Sequence, residues 1–327
     1  MFFHAYSILW MGGVIVSGKY TITEWQSTIY EQYIAFRKRA SSCAPSTERT
    51  IRAAIFSFFS YMNANGIDAL SDVRAEHLHD WHISSEHSSS RARNLYTSQL
   101  RIFFEYLSEK GLVPISLPLA LSCQHAPNET VVKVLSRGQI ETIETYARHA
   151  KSPMQLRDSA MLMLGLKMGM RGADIYGLKF SDISWRKQAI SFIQQKTGVY
   201  IELPMPVVVG NSIYRYITEG RPASTADTVF VNHVSPDNSL RGSTSVRNAI
   251  QRIFRDDAER DFTGFHITRR TFASQMLCSG STVPLIAAAL GHARAESVAP
   301  YLSTDDENLR RCAIGCCGIE YAGRYGL

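Results

Sequence analysis

The feature that most restricts the fold of this chain is a run of four amphipathic helical segments between residues 23 and 111. The first begins at a capping box, in which the side chains of Thr23 and Gln26 satisfy free N–H groups. Start and stop signals bound the other three: Pro45 to Asn65–Gly66, Val73 to about His82, and a last segment that ends at Gly111. The apolar residues at helical spacing are Trp25, Ile29, Tyr33 and Phe36; Ile51, Ile55, Phe58, Phe59 and Met62; and Tyr96, Leu100, Phe103 and Leu107. Short connections between such helices predict one compact helical domain over residues 23–122.

Helical periodicity then lapses from Pro114 to about Thr130, which predicts a linker to a second domain. Ser136 and Gln139 form another capping box near the start of that domain, which we place at residues 130–327. A chain of 327 residues, 45% of them hydrophobic, is long enough to bury two cores. The sequence therefore predicts a mainly α protein with a small β-hairpin or sheet.

Residues 1–22 are an apolar segment of unclear role. Because Lys19 is the first basic residue, the segment lacks the basic region of a signal peptide. The apolar stretch Met1–Val16 is also too short to cross a bilayer. Two interpretations remain open: the true start lies further on, for instance at Met11, or the segment packs against the body of the protein.

Charge and cysteine content narrow the class of protein. The formal net charge is +6 with a pI near 9.0, which permits nucleic-acid binding without requiring it. Six cysteines are too few for a disulfide scaffold and favour reduced thiols in the cytoplasm, and no membrane partner is expected. His77, His79 and His82 have no cysteine partners, so we interpret them as a polar helix face and predict no metal site and no cofactor. Two basic clusters are either solvated faces or phosphate contacts: Arg37, Lys38 and Arg39, and Arg91, Arg93 and Arg101.

The second domain carries the chemically informative residues. An almost wholly apolar stretch, Ser159–Met168, predicts a buried helix that ends near Gly169 and delivers Arg171, with Asp174 three residues later. Because a buried arginine is costly without partners, two interpretations stand. The pair is a structural ion pair, or the guanidinium is aimed at an anion and Asp174 braces it.

A predicted hairpin and two helices add further polar groups. Alternating apolar residues flank a Thr197–Gly198 turn, which places Lys196 at the hairpin tip. His266 and Arg269 are three residues apart, so on a helix they share a face and can hold one ligand. Arg270 points about 100° away and is the weaker candidate. The chain then presents a helix capped by Gly291, followed by His292 and, nine residues on, Tyr301.

In this order the residues resemble the tyrosine recombinase (phage integrase) family: Arg171 with Asp174, Lys196, His266 with Arg269, His292 and Tyr301. The resemblance covers about residues 23–314, and the helical region resembles the family's core-binding domain. It implies an integrase-type catalytic domain of mixed α/β structure and a site-specific recombinase that integrates, excises or resolves DNA. Gly172 beside the first arginine and Arg270 in a position often held by histidine depart from the usual pattern.

The chemistry of phosphoryl transfer suits these residues. Arg171 and Arg269 can fork onto non-bridging phosphate oxygens. His266 can accept the phenolic proton of Tyr301, and His292 can bind the phosphate or assist protonation. The resemblance implies that Lys196 protonates the leaving 5′ oxygen. A 3′-phosphotyrosine then conserves the bond energy for rejoining, so neither metal nor ATP is expected.

The family resemblance also carries expectations about partners. It implies a specific double-stranded DNA site, a monomer in solution and a homotetramer on DNA, in which the tail Glu307–Ile314 forms a protomer-exchange helix. With only about twenty residues before the first helix, a Xer-like or transposon-type enzyme without an arm-binding domain is favoured. Such an enzyme would be prokaryotic, cytoplasmic and associated with the nucleoid.

Two rival functions remain on the same fold. One is a type IB topoisomerase, which relaxes supercoils by similar chemistry without strand exchange. The other is a non-catalytic DNA-binding regulator, which would have lost one of the six residues, whereas all six are present. The segment Gly13–Lys19 does not match a phosphate-binding loop, because Tyr20 stands where the motif needs Ser or Thr.

Overall fold

Two structural units make up the chain, Met1–Asn128 and Glu129–Leu327. The structure is a computed structural model. It describes residues 9–11, 14–17, 20–40, 43–84, 90–123, 132–238, 240, 242, 244–258, 260–262 and 264–291.

The first unit is a helical bundle preceded by a small sheet. Its elements in chain order are β1 Leu9–Met11, β2 Val14–Ser17, β3 Tyr20–Thr23, α1 Glu24–Ala40, α2 Pro45–Ala64, a 3₁₀ turn Leu70–Asp72, α3 Ala75–Ser84, α4 Ser90–Glu109 and α5 Ser116–Ala120. Aromatic rings fill the space between the helices, with Tyr33 of α1 meeting Phe103 of α4 at a centroid distance of 5.1 Å and Phe58 of α2 meeting Trp81 of α3 at 6.0 Å. These edge-on contacts make the core of the unit specific as well as apolar.

The N-terminal segment forms antiparallel strands, which the sequence did not predict. β1 pairs with β2, and β2 pairs with β3. The last strand is fixed to α2, because the Thr21 N–H donates to Ser60 Oγ at 3.0 Å and Asn63 Nδ2 donates to the Thr21 carbonyl at 3.0 Å. Ile22 is buried in the core of the unit. Of the two interpretations left open, packing against the body therefore describes the end of this segment.

The start of α1 differs from the predicted capping box. The Thr23 N–H donates to Gln26 Oε1 at 2.9 Å, as predicted, but the buried Thr23 hydroxyl has no hydrogen-bond partner among the described residues. Gln26 Nε2 donates to Asn63 Oδ1 of α2 at 2.8 Å. Tyr33 of the predicted apolar stripe is buried in the core of the unit, and Trp25 and Ile29 pack against that core. The stripe is therefore confirmed for these three residues and was wrong for Phe36, which is 38% exposed.

Two other boundaries moved. The third helix begins two residues later than predicted, after the 3₁₀ turn that buries Leu70. The short helix α5 occupies part of the predicted linker, and its Leu117, together with the following Leu121, is buried in the core of the first unit. A proline-containing segment therefore still belongs to the bundle, because Pro118 falls where a first-turn N–H would lack a partner.

The second unit surrounds one buried helix. Its elements are α6 Arg137–His149, α7 Pro153–Met168, α8 Gly172–Tyr176, a 3₁₀ turn Phe180–Asp182, β4 Ile183–Ser184, β5 Ala189–Ile193, β6 Tyr200–Pro204, α9 Val207–Arg215 with a π-turn Tyr216–Gly220, α10 Thr244–Ile253, α11 His266–Cys278 and α12 Val283–Leu290. α6 begins at the predicted capping box, with both hydrogen bonds formed. α7 is the predicted buried helix, and it ends at Gly169 in the left-handed conformation with φ 63°.

Two glycines of α7 and its cap let α11 approach closely. A Cβ atom on Gly165 would lie 2.5 Å from Thr268 Oγ1 and 2.7 Å from the Phe265 ring, and one on Gly169 would collide with Phe272. Such contacts are too short for real atoms, so only glycine permits this crossing. The crossing brings the start of α11 beside the end of α7, where Arg171 follows.

The small sheet of the second unit has the order β4-β5-β6 and is antiparallel. In the hairpin, Ile190 pairs with Leu203 and Phe192 pairs with Ile201, so the apolar side chains face the core, as the alternation predicted. Among the described residues, no helix is both long enough and apolar enough to cross a membrane.

Candidate active site

Arg269 lies where the ends of two helices converge. Nη1 donates to the Gly169 carbonyl at the end of α7 at 2.7 Å, and Nη2 donates to the Leu290 carbonyl at the end of α12 at 2.5 Å. The side chain is buried, with 1% exposed. A buried guanidinium needs such partners, and the negative ends of two helix dipoles favour its charge. Both terminal nitrogens of Arg269 thus donate to backbone carbonyls at helix ends.

Arg171 caps the start of α8 and is only half-buried. Its Nη1 donates to the side-chain oxygen of Gln194, at the end of β5. The charge of Arg171 acts on Asp174 through space and lowers the pKa of that carboxyl. The guanidinium is joined to the hairpin and remains partly open to solvent.

Asp174 fastens the hairpin to α8. Its Oδ1 accepts the Gln195 N–H at 2.9 Å. Burial raises the pKa of this carboxyl, while the Gln195 N–H, Arg171 and Arg269 act in the opposite direction. The side chain of Gln195 covers Gly177, where a Cβ would collide with it. The supporting role predicted for Asp174 therefore includes the strand that carries the lysine.

Lys196 lies in the exposed turn of the hairpin, as predicted. The turn is closed by two backbone hydrogen bonds: Gln194 N–H to Val199 O and Gly198 N–H to Gln194 O, both at 2.9 Å. Gly198 has φ 69°, a left-handed conformation that glycine adopts without strain. The Thr197 hydroxyl donates to Gln194 Oε1 at 2.8 Å. The lysine is thus carried on a turn whose two sides are both tied to Gln194.

His266 is the first residue of α11 and remains partly exposed to solvent. Desolvation by the surrounding residues lowers its pKa to about 4, and Arg269, Arg270, Arg171 and Lys196 lower it further, in that order. The positive end of the helix dipole has the same effect. The imidazole is therefore neutral at pH 7 and able to accept a proton.

The influence of these charges shows that the described members of the predicted set lie close together. Arg171 and Arg269 are 98 positions apart in the sequence, and Lys196 lies between them. All three nevertheless lower the pKa of His266. A site made of cations and a neutral base suits an anion that reacts with a nucleophile. Along the chain these residues occur in the order Arg171, Lys196, His266 and Arg269.

The family model described as the phage integrase family matches residues 133–308, more than half of the chain. The chain belongs to the phage integrase family. An integrase/recombinase of Sinorhizobium fredii, y4gC, is 34% identical over 189 residues, which are 57% of this chain and 97% of that protein. The tyrosine recombinase XerD of Ralstonia nicotianae is 28% identical over 233 residues, 69% of this chain and 73% of that protein.

Solved structures of tyrosine recombinases have the same fold. The XerH site-specific recombinase, bound to a palindromic difH substrate in a post-cleavage complex, has a TM-score of 0.69 at 16% identity and covers 86% of this chain and 83% of its own. A lambda integrase dimer bound to a COC′ core site has a TM-score of 0.65 at 17% identity, with 85% and 94% covered. The expected integrase-type fold is confirmed by these likenesses.

Two residues of the predicted set, His292 and Tyr301, lie outside the described residues, as does the tail Glu307–Ile314. The described chain ends at Gly291, which has φ 59° and caps α12 as predicted. A Cβ on Gly291 would collide with Ile201 and lie 2.7 Å from the Gln194 amide. The residue before His292 is therefore held against the hairpin.

Sequence reasoning missed Gln194 and the reason for Gly172. Gln194 ends a strand whose other inward residues are apolar, and a buried polar residue in that register was the available signal. Gly172 departs from the family pattern because Val246 of α10 fills the space beside it, and a Cβ there would lie 2.9 Å from Val246 Cγ2.

The basic clusters of the first unit are partly neutralised. Lys38 pairs with Glu48 at 2.9 Å, and Arg101 lies 4.0 Å from Glu105. Arg37 donates to the Tyr33 hydroxyl at 3.4 Å. Arg39, at the end of α1, and Arg91, in the first turn of α4, are both exposed, while Arg93 is half-buried.

His77, His79 and His82 do not form one polar helix face, and the prediction was wrong for His82, which is buried. The buried His82 contacts the Thr97 hydroxyl at 2.8 Å, and His77 accepts the Arg74 N–H at 3.2 Å. In the described part of the chain, no group of three His, Cys, Asp or Glu side chains is placed to hold a metal ion.

Proposed function

We propose that this tyrosine recombinase cleaves and rejoins DNA strands at specific sites through a 3′-phosphotyrosine intermediate, with Tyr301 as the nucleophile. The observation that carries the proposal is the convergence of Arg171, Arg269 and Lys196 around the neutral His266. This is the charge pattern that an attacked phosphodiester needs, because its oxygens repel nucleophiles until cations neutralise them.

In the proposed reaction, the arginines stabilise the charge that develops on the phosphate. Arg171, which is half-buried, makes the main contact with a non-bridging oxygen. Arg269, which is anchored on two carbonyls, adds its positive charge beside the same phosphate. His292 binds the same phosphate.

Proton transfer accompanies both bond changes. The Tyr301 oxygen attacks phosphorus as its proton, whose ordinary pKa is near 10, passes to neutral His266. The bond from phosphorus to the 5′ oxygen breaks, and Lys196 supplies the proton that this oxygen takes up. A 5′-hydroxyl from a second duplex then attacks the phosphotyrosine, and each proton returns by the reverse route.

Assembly on DNA forms the second part of the proposal. The basic clusters at the end of α1 and along α4 contact phosphates: Arg37, Lys38, Arg39, Arg91, Arg93 and Arg101. The protein is a monomer in solution and a tetramer on two DNA sites, joined through its C-terminal tail. It acts on the nucleoid in the cytoplasm of a prokaryote and works on a mobile element.

A suicide substrate tests the proposal. DNA nicked beside the cleavage site loses a short fragment after attack, so the covalent adduct accumulates and is seen as a band of lower mobility in a denaturing gel. Wild type should form the adduct, and Tyr301→Phe should form none. Equal adduct in both proteins would refute the assignment of the nucleophile. Exchange between two labelled duplexes, rather than relaxation of a supercoiled plasmid alone, distinguishes recombination from topoisomerase activity.

A further inference from the structure

The buried side chain of Gln194 joins three separate parts of the candidate site. It is 2% exposed. Its Oε1 accepts from Arg171 Nη1 and from the Thr197 hydroxyl, and its Nε2 donates to the Leu290 carbonyl at 3.0 Å. A buried amide is costly when its groups are unpaired, and here both polar atoms are used.

These contacts join Arg171, the hairpin turn and the end of α12, and they meet Arg269 at a shared carbonyl. Arg171 is bonded to Gln194 directly, and the hairpin turn with Lys196 is bonded to it through Thr197. The Leu290 carbonyl is shared with Arg269 Nη2. Gly291, which precedes His292, packs against the same amide.

The chemistry of these partners requires an amide. Arg171 and Thr197 are donors and need an acceptor, whereas the Leu290 carbonyl is an acceptor and needs a donor. A carboxylate of the same shape would lack the donor, and a methionine of similar length would lack both. Glutamine alone provides both groups at this reach.

We propose that Gln194 is a positioning residue that sets Arg171 and the hairpin lysine relative to each other for strand cleavage. The inference rests on the proposed function and assigns to Gln194 no contact with DNA. Its side chain acts through the residues that it holds.

The test compares Gln194→Met with Gln188→Met, which removes an exposed amide at the other end of β5. On the suicide substrate, Gln194→Met should form the adduct at least about tenfold more slowly, because a small misplacement of catalytic groups is costly. Its Kd for DNA should stay within about threefold of wild type, because the DNA contacts remain. Gln188→Met should match wild type in both. Adduct formation by Gln194→Met at the wild-type rate would overturn the inference.

A substrate with sulfur in place of the 5′ bridging oxygen separates positioning from general damage to the fold. A thiolate leaves without a proton from Lys196, so the defect of Gln194→Met should shrink at least about threefold on this DNA. An equal defect on both substrates, together with a lower Tm, would mean a purely structural residue and would overturn the inference.

Hydrogen exchange of the DNA-free protein provides a readout independent of activity. Amides of the 195–199 turn should exchange faster in Gln194→Met than in Gln188→Met, while those of α7 stay protected. If wild type forms no adduct, the proposed function fails while this result still decides whether Gln194 holds the turn. Unchanged exchange in the turn would refute the coupling.

Discussion

The two arginines of the site differ in how much they contribute to the stability of the fold. Arg269 is buried and bonded to the ends of two helices, whereas Arg171 is only half-buried. If Arg171 is removed, Gln194 Oε1 still accepts the hydrogen bond from the Thr197 hydroxyl. We therefore expect Arg269→Ala to lower the free energy of unfolding by about 3 kcal/mol, since it leaves buried carbonyls and a cavity. Arg171→Ala should cost about 1 kcal/mol or less. Urea titrations followed by circular dichroism measure both values.

Both arginine variants should lose adduct formation on the suicide substrate. Only Arg171→Ala should do so with the fold intact and DNA affinity retained, because its role is in the reaction rather than in packing. Equal stability of the two variants would contradict the structural difference assigned to them.

The protonation of His266 should determine how the reaction rate depends on pH. In the free protein its pKa is about 4, so the neutral base is present down to nearly that pH. The pH profile of kcat/KM reports the free enzyme, and it should not fall between about pH 8 and pH 5.5 through this group. In the complex, the phosphate anion favours the imidazolium and raises the pKa, so kcat should fall at a higher pH than kcat/KM. A kcat/KM profile that declines around pH 6.5 would contradict the assignment, and His266→Asn is the control for other titrating groups.

The same depressed pKa has a consequence for stability. The unfolded chain binds a proton near pH 6.5, whereas the folded protein binds it only near pH 4. The contribution of this histidine to the free energy of unfolding is therefore complete above about pH 6.5 and declines as the pH falls towards 4. His233, whose pKa desolvation also lowers to about 4, acts in the same direction. His233→Phe should flatten the acid decline in urea titrations by about 1 kcal/mol.

Individual residues of the site were predictable where their chemistry is unusual for their surroundings. Spacing placed His266 and Arg269 on one helix face, whereas the family resemblance joined Arg171 to them. The sequence marked Gln194 only as a polar residue in an apolar register, which does not indicate its partners. Its role depends on the Leu290 carbonyl, which is 96 residues away along the chain.

At the level of elements, the crossing of α7 and α11 decides whether the site forms. A methyl group at Gly165 would force Thr268 and Phe265 apart and shift the start of α11. Gly165→Ala should therefore lower the free energy of unfolding by about 2 kcal/mol and slow adduct formation, since overpacking moves both His266 and Arg269.

A second helical glycine provides the control for this change. Gly138 in α6 has nothing within 4 Å of an added Cβ. Gly138→Ala should be neutral or stabilise by up to about 1 kcal/mol, because alanine is the better helix former. If Gly165→Ala and Gly138→Ala change the free energy of unfolding equally, the close crossing of α7 and α11 does not contribute to stability as proposed.

The positions of the helices were predicted from the sequence more accurately than the faces that they bury. Capping signals and apolar spacing located α2 and α6 because local hydrogen bonds fix helix ends. The apolar stripe located the buried face of α1 through Tyr33 but misplaced Phe36, which is exposed. The strands before α1 were missed because short apolar runs carry no helical or alternating period.

For the whole molecule, charge distribution matters more than total charge. A net charge of +6 over 327 residues is a weak general attraction, and strong DNA binding requires that cations meet phosphates in one place. Each neutralised phosphate releases counterions, so the slope of log K against log salt counts these contacts. The slope can therefore test the proposed contacts of the first unit without knowledge of the DNA sequence read.

The double variant Arg39→Ala/Arg91→Ala removes two exposed cations of the proposed interface. It should reduce the salt slope by about 2, because each phosphate contact contributes about 0.9. The matched control, Arg137→Ala/Arg148→Ala, removes the same charge from α6 of the second unit, where Arg137 is 94% exposed and already paired with Glu141. The control should change the slope by less than about 0.5. Equal reductions would mean that binding follows net charge alone, and the basic clusters would then be ordinary solvated faces.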